Sequence, residues 1–166
     1  MLIGLISDTH DHVSNINKAV SLFRTKNTEL VLHAGDYCSP FTIPLFKGLE
    51  LKGIFGNNDG DKYLLISKFR EIGAEIAGDF LNLQIHGLKI ALYHGTYAEI
   101  TASLCESGRY DVVITGHTHE MVQEHIGETL WINPGTANGF DGKATVALFD
   151  TETRSVEFVD LEDVDV

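Results

Sequence analysis

Three short apolar runs, Leu2 to Ser7, Leu30 to Leu32 and Leu51 to Phe55, each break abruptly into Gly, Asp, Asn or His. A continuous apolar run of that length is the mark of a strand covered on both faces. After the first break, Ile16, Ala19, Val20 and Phe23 recur at helical spacing, and after the third so do Tyr63, Leu64, Ile66 and Phe69. Ser14 is the expected N-cap of the first helix, and Gly73 the expected end of the later one. Between Asp36 and Leu51, a short helix beginning near Thr42 would place Pro44 in its first turn, where a missing N–H does no harm. The order β-α-β-α-β-α calls for parallel strands joined by helical crossovers.

The second half is patterned differently. Phe80 to Ile85 and Lys89 to Tyr93 flank His86-Gly87, Met121 to Ile126 and Thr129 to Ile132 flank Gly127-Glu128, and Ala144 to Phe149 and Ser155 to Val159 flank a polar turn. Each is a hairpin signal. A helix over Ala98 to Glu106 and a buried strand Val112 to Thr115 lie among them. Parallel units followed by hairpins predict an α/β chain of mixed sheets with helices outside. The 166 residues suit one compact domain, 1–166, and show no repeat or linker. The acidic tail Asp160 to Val166 is expected to fray or run along a sheet edge.

Composition narrows the partners. Hydrophobic residues are 43% and charged residues 22%, as in a globular protein, and the formal charge is −12. Such a surface repels polyanions, which disfavours nucleic acid polymers and anionic membranes. No apolar run is long enough to span a bilayer, and the N-terminal stretch lacks the basic segment and cleavage site of a secretory signal. Cys38 and Cys105 sit in no C-x-x-C pattern and read as reduced thiols, so a cytoplasmic location is expected. Homo-oligomerisation stays open.

The polar residues are placed with regularity. Asp8 and His10 follow the first strand, Asp36 the second, Asn57 the third, His94 a hairpin strand, and His117 and His119 the run Val112 to Thr115. All lie just past the C-terminal end of an apolar run, the edge where open α/β sheets bind ligands. Asp8 with His10, and His117 with His119, are two apart, so in extended backbone both members project to one side. Turn capping explains an isolated Asp or Asn at a strand end; it does not explain two Asp, one Asn and four His in this order.

The ordered set Asp8-x-His10, Gly35-Asp36, Gly56-Asn57-x-Asp59, His94 and Gly116-His-x-His119 resembles the calcineurin-like metallophosphoesterases. Asn133-Pro134-Gly135-Thr136 is similar to the small bacterial and archaeal phosphodiesterase branch of that superfamily. The resemblance runs from Asp8 to about Thr136 and implies a four-layer fold, two mixed β-sheets face to face flanked by helices. It implies that Asp8, His10, Asp36 and His119 bind one metal ion and that Asp36, Asn57, His94 and His117 bind a second, with Asp36 bridging. Imidazole, carboxylate and amide ligands suit borderline divalent ions, Mn2+ or Ni2+ first, with Fe or Zn as alternatives, over Ca or Mg. Two such ions about 3.5–4 Å apart can hold a bridging hydroxide nucleophile and clamp the phosphoryl oxygens. With two carboxylates and that hydroxide they leave a charge of about +1, an attraction for phosphate that the acidic exterior lacks.

The chain departs from the family pattern at Asn58, where many relatives carry a His taken to assist catalysis. An amide donates a hydrogen bond but gives up no proton in a useful pH range. Asp59 is expected to orient the loop or a ligand. His12 lies close enough to contact substrate or, equally, to be a solvated loop residue. His33 reads as a hydrogen-bonded core residue, and His86 and His125 as structural or solvated. Phe41, Ile43, Leu45 and Phe46 read as core packing, with a lid as the alternative.

The function expected is hydrolysis of a small phosphodiester by a two-metal mechanism. Stretches 7–12, 34–40, 56–61, 93–98, 115–120 and 133–140 contain no Arg or Lys, which favours a singly charged diester over a dianionic monoester. The alternatives are a phosphomonoesterase acting on small phosphorylated metabolites and a binding scaffold like the retromer subunit of this fold, with a residual metal site. Phosphoprotein phosphatase activity ranks last.

Overall fold

The computed structural model describes residues 1–140 and 142–165. In chain order the elements are β1 Leu2–Ile6, α1 Val13–Thr25, β2 Leu30–His33, a 3-10 helix Pro40–Phe46, β3 Leu51–Gly53, α2 Lys62–Glu71 and β4 Glu75–Ile76. There follow β5 Phe80–Ile85, β6 Leu88–Tyr93, α3 Ala98–Glu106, β7 Val112–Ile114, β8 Met121–Ile126, β9 Thr129–Pro134, β10 Thr145–Asp150, β11 Val156–Asp160 and a second 3-10 helix Leu161–Asp163. One sheet has the order β11-β10-β1-β2-β3-β4 and the other β5-β6-β7-β9-β8. β1 to β4 pair in parallel, as do β6, β7 and β9, while the flanking strands are antiparallel. Both sheets are therefore mixed.

Strand alternation sorts the side chains into layers. Ile3 and Leu5 of β1, Leu30 and Leu32 of β2, and Ala147 and Phe149 of β10 meet Leu88, Ile90, Leu92, Val112, Ile114, Leu130 and Ile132 of the other sheet. The alternate residues Ile6, Val31, Val146 and Leu148 turn outward and pack with Ile16, Phe23, Phe46, Leu65 and Phe69. On the far side, Ala91, Val113 and Trp131 pack with Leu104 and Cys105 of α3. Helices, sheet, sheet, helix make four layers. No helix among the described residues is long and apolar enough to cross a membrane.

Local chemistry moves several boundaries. The N-cap of α1 is His12, whose Nδ1 accepts the Asn15 N–H at 3.2 Å, in place of the expected Ser14. The segment after Ser39 is a 3-10 helix from Pro40, not a helix begun near Thr42. Within it Ile43 and Phe46 are buried and Leu45 packs against the same core, while Phe41 is 60% exposed. β4 has only two residues and carries no pattern to read. The tail does not fray at its start: Leu161 is buried and its N–H donates to the Ala144 carbonyl at 2.8 Å. Val166, the end of that tail, lies outside the described residues.

Candidate metal centre

The C-terminal ends of the parallel strands in both sheets open onto one place. The loop after β1 runs beside the loop after β2, with Asp8 N–H donating to the Gly35 carbonyl and His10 N–H to the Asp36 carbonyl, each at 3.1 Å. The loop after β7 closes onto it from the other sheet, His117 N–H donating to Asp8 Oδ2 at 3.0 Å. The backbone is strained where the polar side chains sit: φ is +54° at Asp8, +39° at His10, +60° at Asp36, +69° at His117 and +62° at His119. Left-handed backbone costs an L-residue roughly 1 kcal/mol or more. The bonds between loops hold these residues there, so that the side chains of Asp8 and His10 turn toward one point. A Cβ on Gly56 would strike the Asp36 carboxylate, and one on Gly116 would come within 2.7 Å of Asp8 Oδ2.

Two groups of ligand atoms result: Asp8, His10 and His119 in one, and Asp8, Asp36 and His94 in the other, the atoms of each lying within 4.8 Å of one another. Asp8 Oδ1 is 3.4 Å from His119 Nε2 and 3.7 Å from His10 Nε2. Asp36 Oδ2 stands between His10 Nε2 and His94 Nε2, 3.4 Å from each. Asn57 Oδ1 lies 3.0 Å from His94 Nε2. His117 is outside both groups, its ring beside His94 with centroids 5.2 Å apart.

These atoms fit a cation. Asp8 is fully buried, yet its Oδ1, like His10 Nε2, has no hydrogen-bond partner. Burial pushes the Asp8 carboxyl up, but His10 and His119 outweigh it and hold it well below the usual carboxylate range. A buried anion with an unmet lone pair is costly unless a positive charge faces it. His94 points the same way. Its Nδ1 lies 2.7 Å from the Ala34 carbonyl, which only accepts, so Nδ1 carries the proton. Nε2 is then aimed at Asn57 Oδ1 and Asp36 Oδ2. Burial pushes the His94 pKa down, but the Asp36 carboxylate outweighs it and raises it, so without a metal a proton occupies the place that a cation would take. Fixing the outer nitrogen of a histidine on a backbone carbonyl is how metal-binding imidazoles are oriented. Asp36, raised by burial, is brought below its ordinary value by His94.

Neighbouring residues hold this arrangement. Asp59 collects four backbone N–H groups: Oδ2 accepts from Gly56 at 2.6 Å and Asp36 at 3.1 Å, and Oδ1 from Tyr37 at 2.7 Å and Cys38 at 2.9 Å. Asn58 donates its backbone N–H to Asp36 Oδ1 at 2.8 Å and its side-chain amide to Asp36 Oδ2 at 2.7 Å. His12 joins neither ligand group; it caps α1, and its ring meets the Phe140 ring with centroids 6.1 Å apart. His33 is buried, touches Thr9 Oγ1 and accepts the Gly35 N–H at 3.1 Å, and burial pushes its pKa down to about 3. His86 faces Thr151 Oγ1 at 3.2 Å.

Sequence patterns do not point to several supporting residues. Asn138 and Thr136 both donate to the Asp8 carbonyl, at 3.0 and 3.2 Å through their side chains. Asn133 donates to the Gly116 carbonyl at 2.8 Å, so the Asn133-Pro-Gly-Thr136 stretch ties the His117 loop to the Asp8 loop. Cys38 Sγ lies 3.3 Å from His10 Nδ1, and Asp11 Oδ1 accepts the Ser39 N–H. The only hint of these is their density of Asx, Ser and Thr after strand ends.

Comparison with known proteins agrees with this geometry. The calcineurin-like phosphoesterase superfamily domain matches residues 1–154. A phosphodiesterase of Methanocaldococcus jannaschii is 42% identical over 166 residues, covering 98% of this chain and all of that protein. A solved structure described as a novel archaeal phosphodiesterase superposes with a TM-score of 0.93 at 39% identity, covering 96% of this chain and 99% of its own. The Zn2+-bound Vps29 of Entamoeba histolytica shares the fold at a TM-score of 0.68 and 21% identity, covering 97% of this chain and 99% of its own. With the family domain matching residues 1–154 and the fold and nearly the whole sequence in agreement, the chain belongs to the calcineurin-like phosphoesterase superfamily.

Proposed function

We propose that the protein is a cytoplasmic phosphodiesterase that hydrolyses small phosphodiesters at a two-metal centre. The observation that carries this reading is Asp36 Oδ2, placed midway between two imidazole nitrogens at 3.4 Å each. On one side Asp8, His10 and His119 would hold an ion with Asp36; on the other Asn57, His94 and His117 would hold one with the same carboxylate. When bound, two divalent ions supply Lewis acidity toward the phosphoryl oxygens and a hydroxide nucleophile near neutral pH. Mixed N and O donors favour Mn2+ or Ni2+, with Fe or Zn as alternatives.

The chain's own residues orient and restrain. His94 is locked in one tautomer by Ala34, Asp36 is gripped by Asn58, and Asp59 fixes the peptide groups on which Asp36 stands. Asn58 is exposed and has an amide oxygen left to meet a ligand, but it cannot supply a leaving-group proton. Lys62 lines the same cleft as Asn57 and His94, yet it is paired with Asp79 at 3.1 Å and adds little net charge for a dianion. This supports a diester over a monoester, and the charge of −12 supports a small substrate over a nucleic acid polymer. The experiment is to strip the metal, restore Mn2+, Ni2+, Zn2+ or Mg2+ singly, and assay matched aryl monoesters and diesters. Mn2+ or Ni2+ should restore activity, with the larger kcat/KM for the diester. A larger value for the monoester would make the protein a phosphomonoesterase; metal uptake without hydrolysis of either would make it a scaffold.

A further inference from the structure

We propose that the cleft beside Asn57 and His94 binds a planar heteroaromatic ring on one ester group, so that the substrate is a small nucleoside-type phosphodiester; this rests on the phosphodiesterase reading above. The cleft is about 290 Å3, near the small end of ligand pockets and sized for one ring system rather than a polymer. Phe55, Tyr93 and Tyr97 line it, and so do Asn57 and His94, which connect it to the site. Tyr97 is 62% exposed and occupies the N-cap of α3, where it makes no side-chain cap bond. Ser, Thr, Asn or Asp would cap that helix better, so the position forgoes helix stability to hold an aromatic ring at the mouth. The ring's backbone is not loose: Tyr97 N–H donates to Tyr93 Oη at 3.1 Å.

The polar edge of the cleft suits a base. Lys62 Nζ lies 4.6 Å from the Phe55 ring centre and 3.1 Å from Asp79 Oδ1, which sets a donor and an acceptor side by side over an aromatic wall. A nucleobase edge presents the complementary pair, and its face stacks on tyrosine. An alkyl group would use the walls and waste the edge. A second phosphate would find Lys62 already neutralised.

The test uses the Mn2+-loaded protein and two diesters with one leaving group, thymidine 5′-(4-nitrophenyl phosphate) and ethyl 4-nitrophenyl phosphate. The nucleoside ester should have the larger kcat/KM, through KM. Tyr97→Ala should cut that preference about 5- to 100-fold, the range expected for one stacked base, and Tyr97→Phe should keep it. In parallel, thymidine 5′-monophosphate should bind more tightly than ribose 5-phosphate by calorimetry, and lose that advantage in Tyr97→Ala. Equal kcat/KM for the two esters, or a preference that survives Tyr97→Ala, overturns the cleft and leaves the phosphodiesterase reading standing. Hydrolysis of neither ester overturns the phosphodiesterase reading. The binding comparison then decides the cleft alone: a nucleotide advantage lost in Tyr97→Ala keeps it, and equal binding removes it.

Discussion

The two ends of the site are built by opposite means. Around Asp8 and His10, lone pairs are left unmet: Asp8 Oδ1 and His10 Nε2 are buried without a partner and face one another at 3.7 Å. Around Asp36 almost every polar atom is already engaged, by Asn58, by the Asp59 scaffold beneath, and by His94 fixed on Ala34. The first end resembles a socket whose stability depends on what enters it. The second is organised before anything binds. Asp36 belongs to both, since its Oδ2 reaches a histidine from each.

The largest effect should therefore come from breaking the shared residue. Asp36→Ala removes the only carboxylate among the described residues that touches both His10 and His94, and it should empty both ends. Elemental analysis after equilibration with excess Mn2+ should give near zero ions per chain. Activity should fall by more than the ~100-fold that losing an outer partner commonly costs. Asp8 belongs to both ligand groups but is paired with His10 and His119 only, so Asp8→Ala should weaken chiefly that end and leave about one ion per chain. One ion retained in each variant would show that Asp36 does not bridge.

Next in size is the scaffold under the braced end. Asp59→Ala leaves the N–H groups of Gly56, Asp36, Tyr37 and Cys38 without their acceptor in a buried place. Stranding them should cost roughly 3–5 kcal/mol. In a protein of this size that lowers Tm by about 10 °C. The melt is run on metal-free protein, so that lost folding stability is separated from lost ion binding. Asp11→Ala, which frees only the Ser39 N–H at the open end, is the matched control and should shift Tm far less. Similar shifts in the two variants would remove the contrast between the ends.

How much of this could be read from the chain follows from which forces act locally. Apolar runs and their periods disclose strands and helices because burial imposes them, and α3 falls on the predicted residues Ala98 to Glu106. β4 escapes because two residues, Glu75 and Ile76, have no period, and the His12 cap escapes because a ring nitrogen takes a role that pattern rules give to Ser14. The ligand types stand out because they interrupt strands at the same edge. What holds them does not stand out. Asp59 serves peptide groups some twenty residues away and Asn138 serves Asp8 across the chain, with |i−j| of 22 for Asp59 to Tyr37 and 130 for Asn138 to Asp8. Left-handed backbone at five of the seven strand-end ligand positions is equally silent, since Asp and His are the residues that tolerate it with least remark. The cleft is a tertiary product too, joining Lys62 to Asp79 over Phe55.

The smallest expected effect is the most discriminating, because it asks whether Asn58 holds Asp36 or helps the reaction directly. Its backbone N–H stays on Asp36 Oδ1 whatever the side chain, so Asn58→Ala removes only the 2.7 Å bond to Oδ2. Loss of an outer partner typically weakens ion binding about 10- to 100-fold, and here the loss should fall on the braced end. The dependence of rate on leaving-group pKa, measured over a series of aryl and alkyl diesters at saturating metal, should not change, since an amide supplies no proton to lose. Asn58→His should behave oppositely. It adds a group able to protonate the departing oxygen, so the dependence should flatten, with gains of up to about 10²-fold on basic leaving groups and little on nitrophenyl esters. Both variants are compared only with their metal content measured. A slope that steepens in Asn58→Ala would mean that the amide stabilises the departing oxygen as well as gripping Asp36. Parallel slopes in a fully loaded Asn58→His would place the proton elsewhere, and His12, two residues beyond His10 and beside Phe140, would be the next residue to replace.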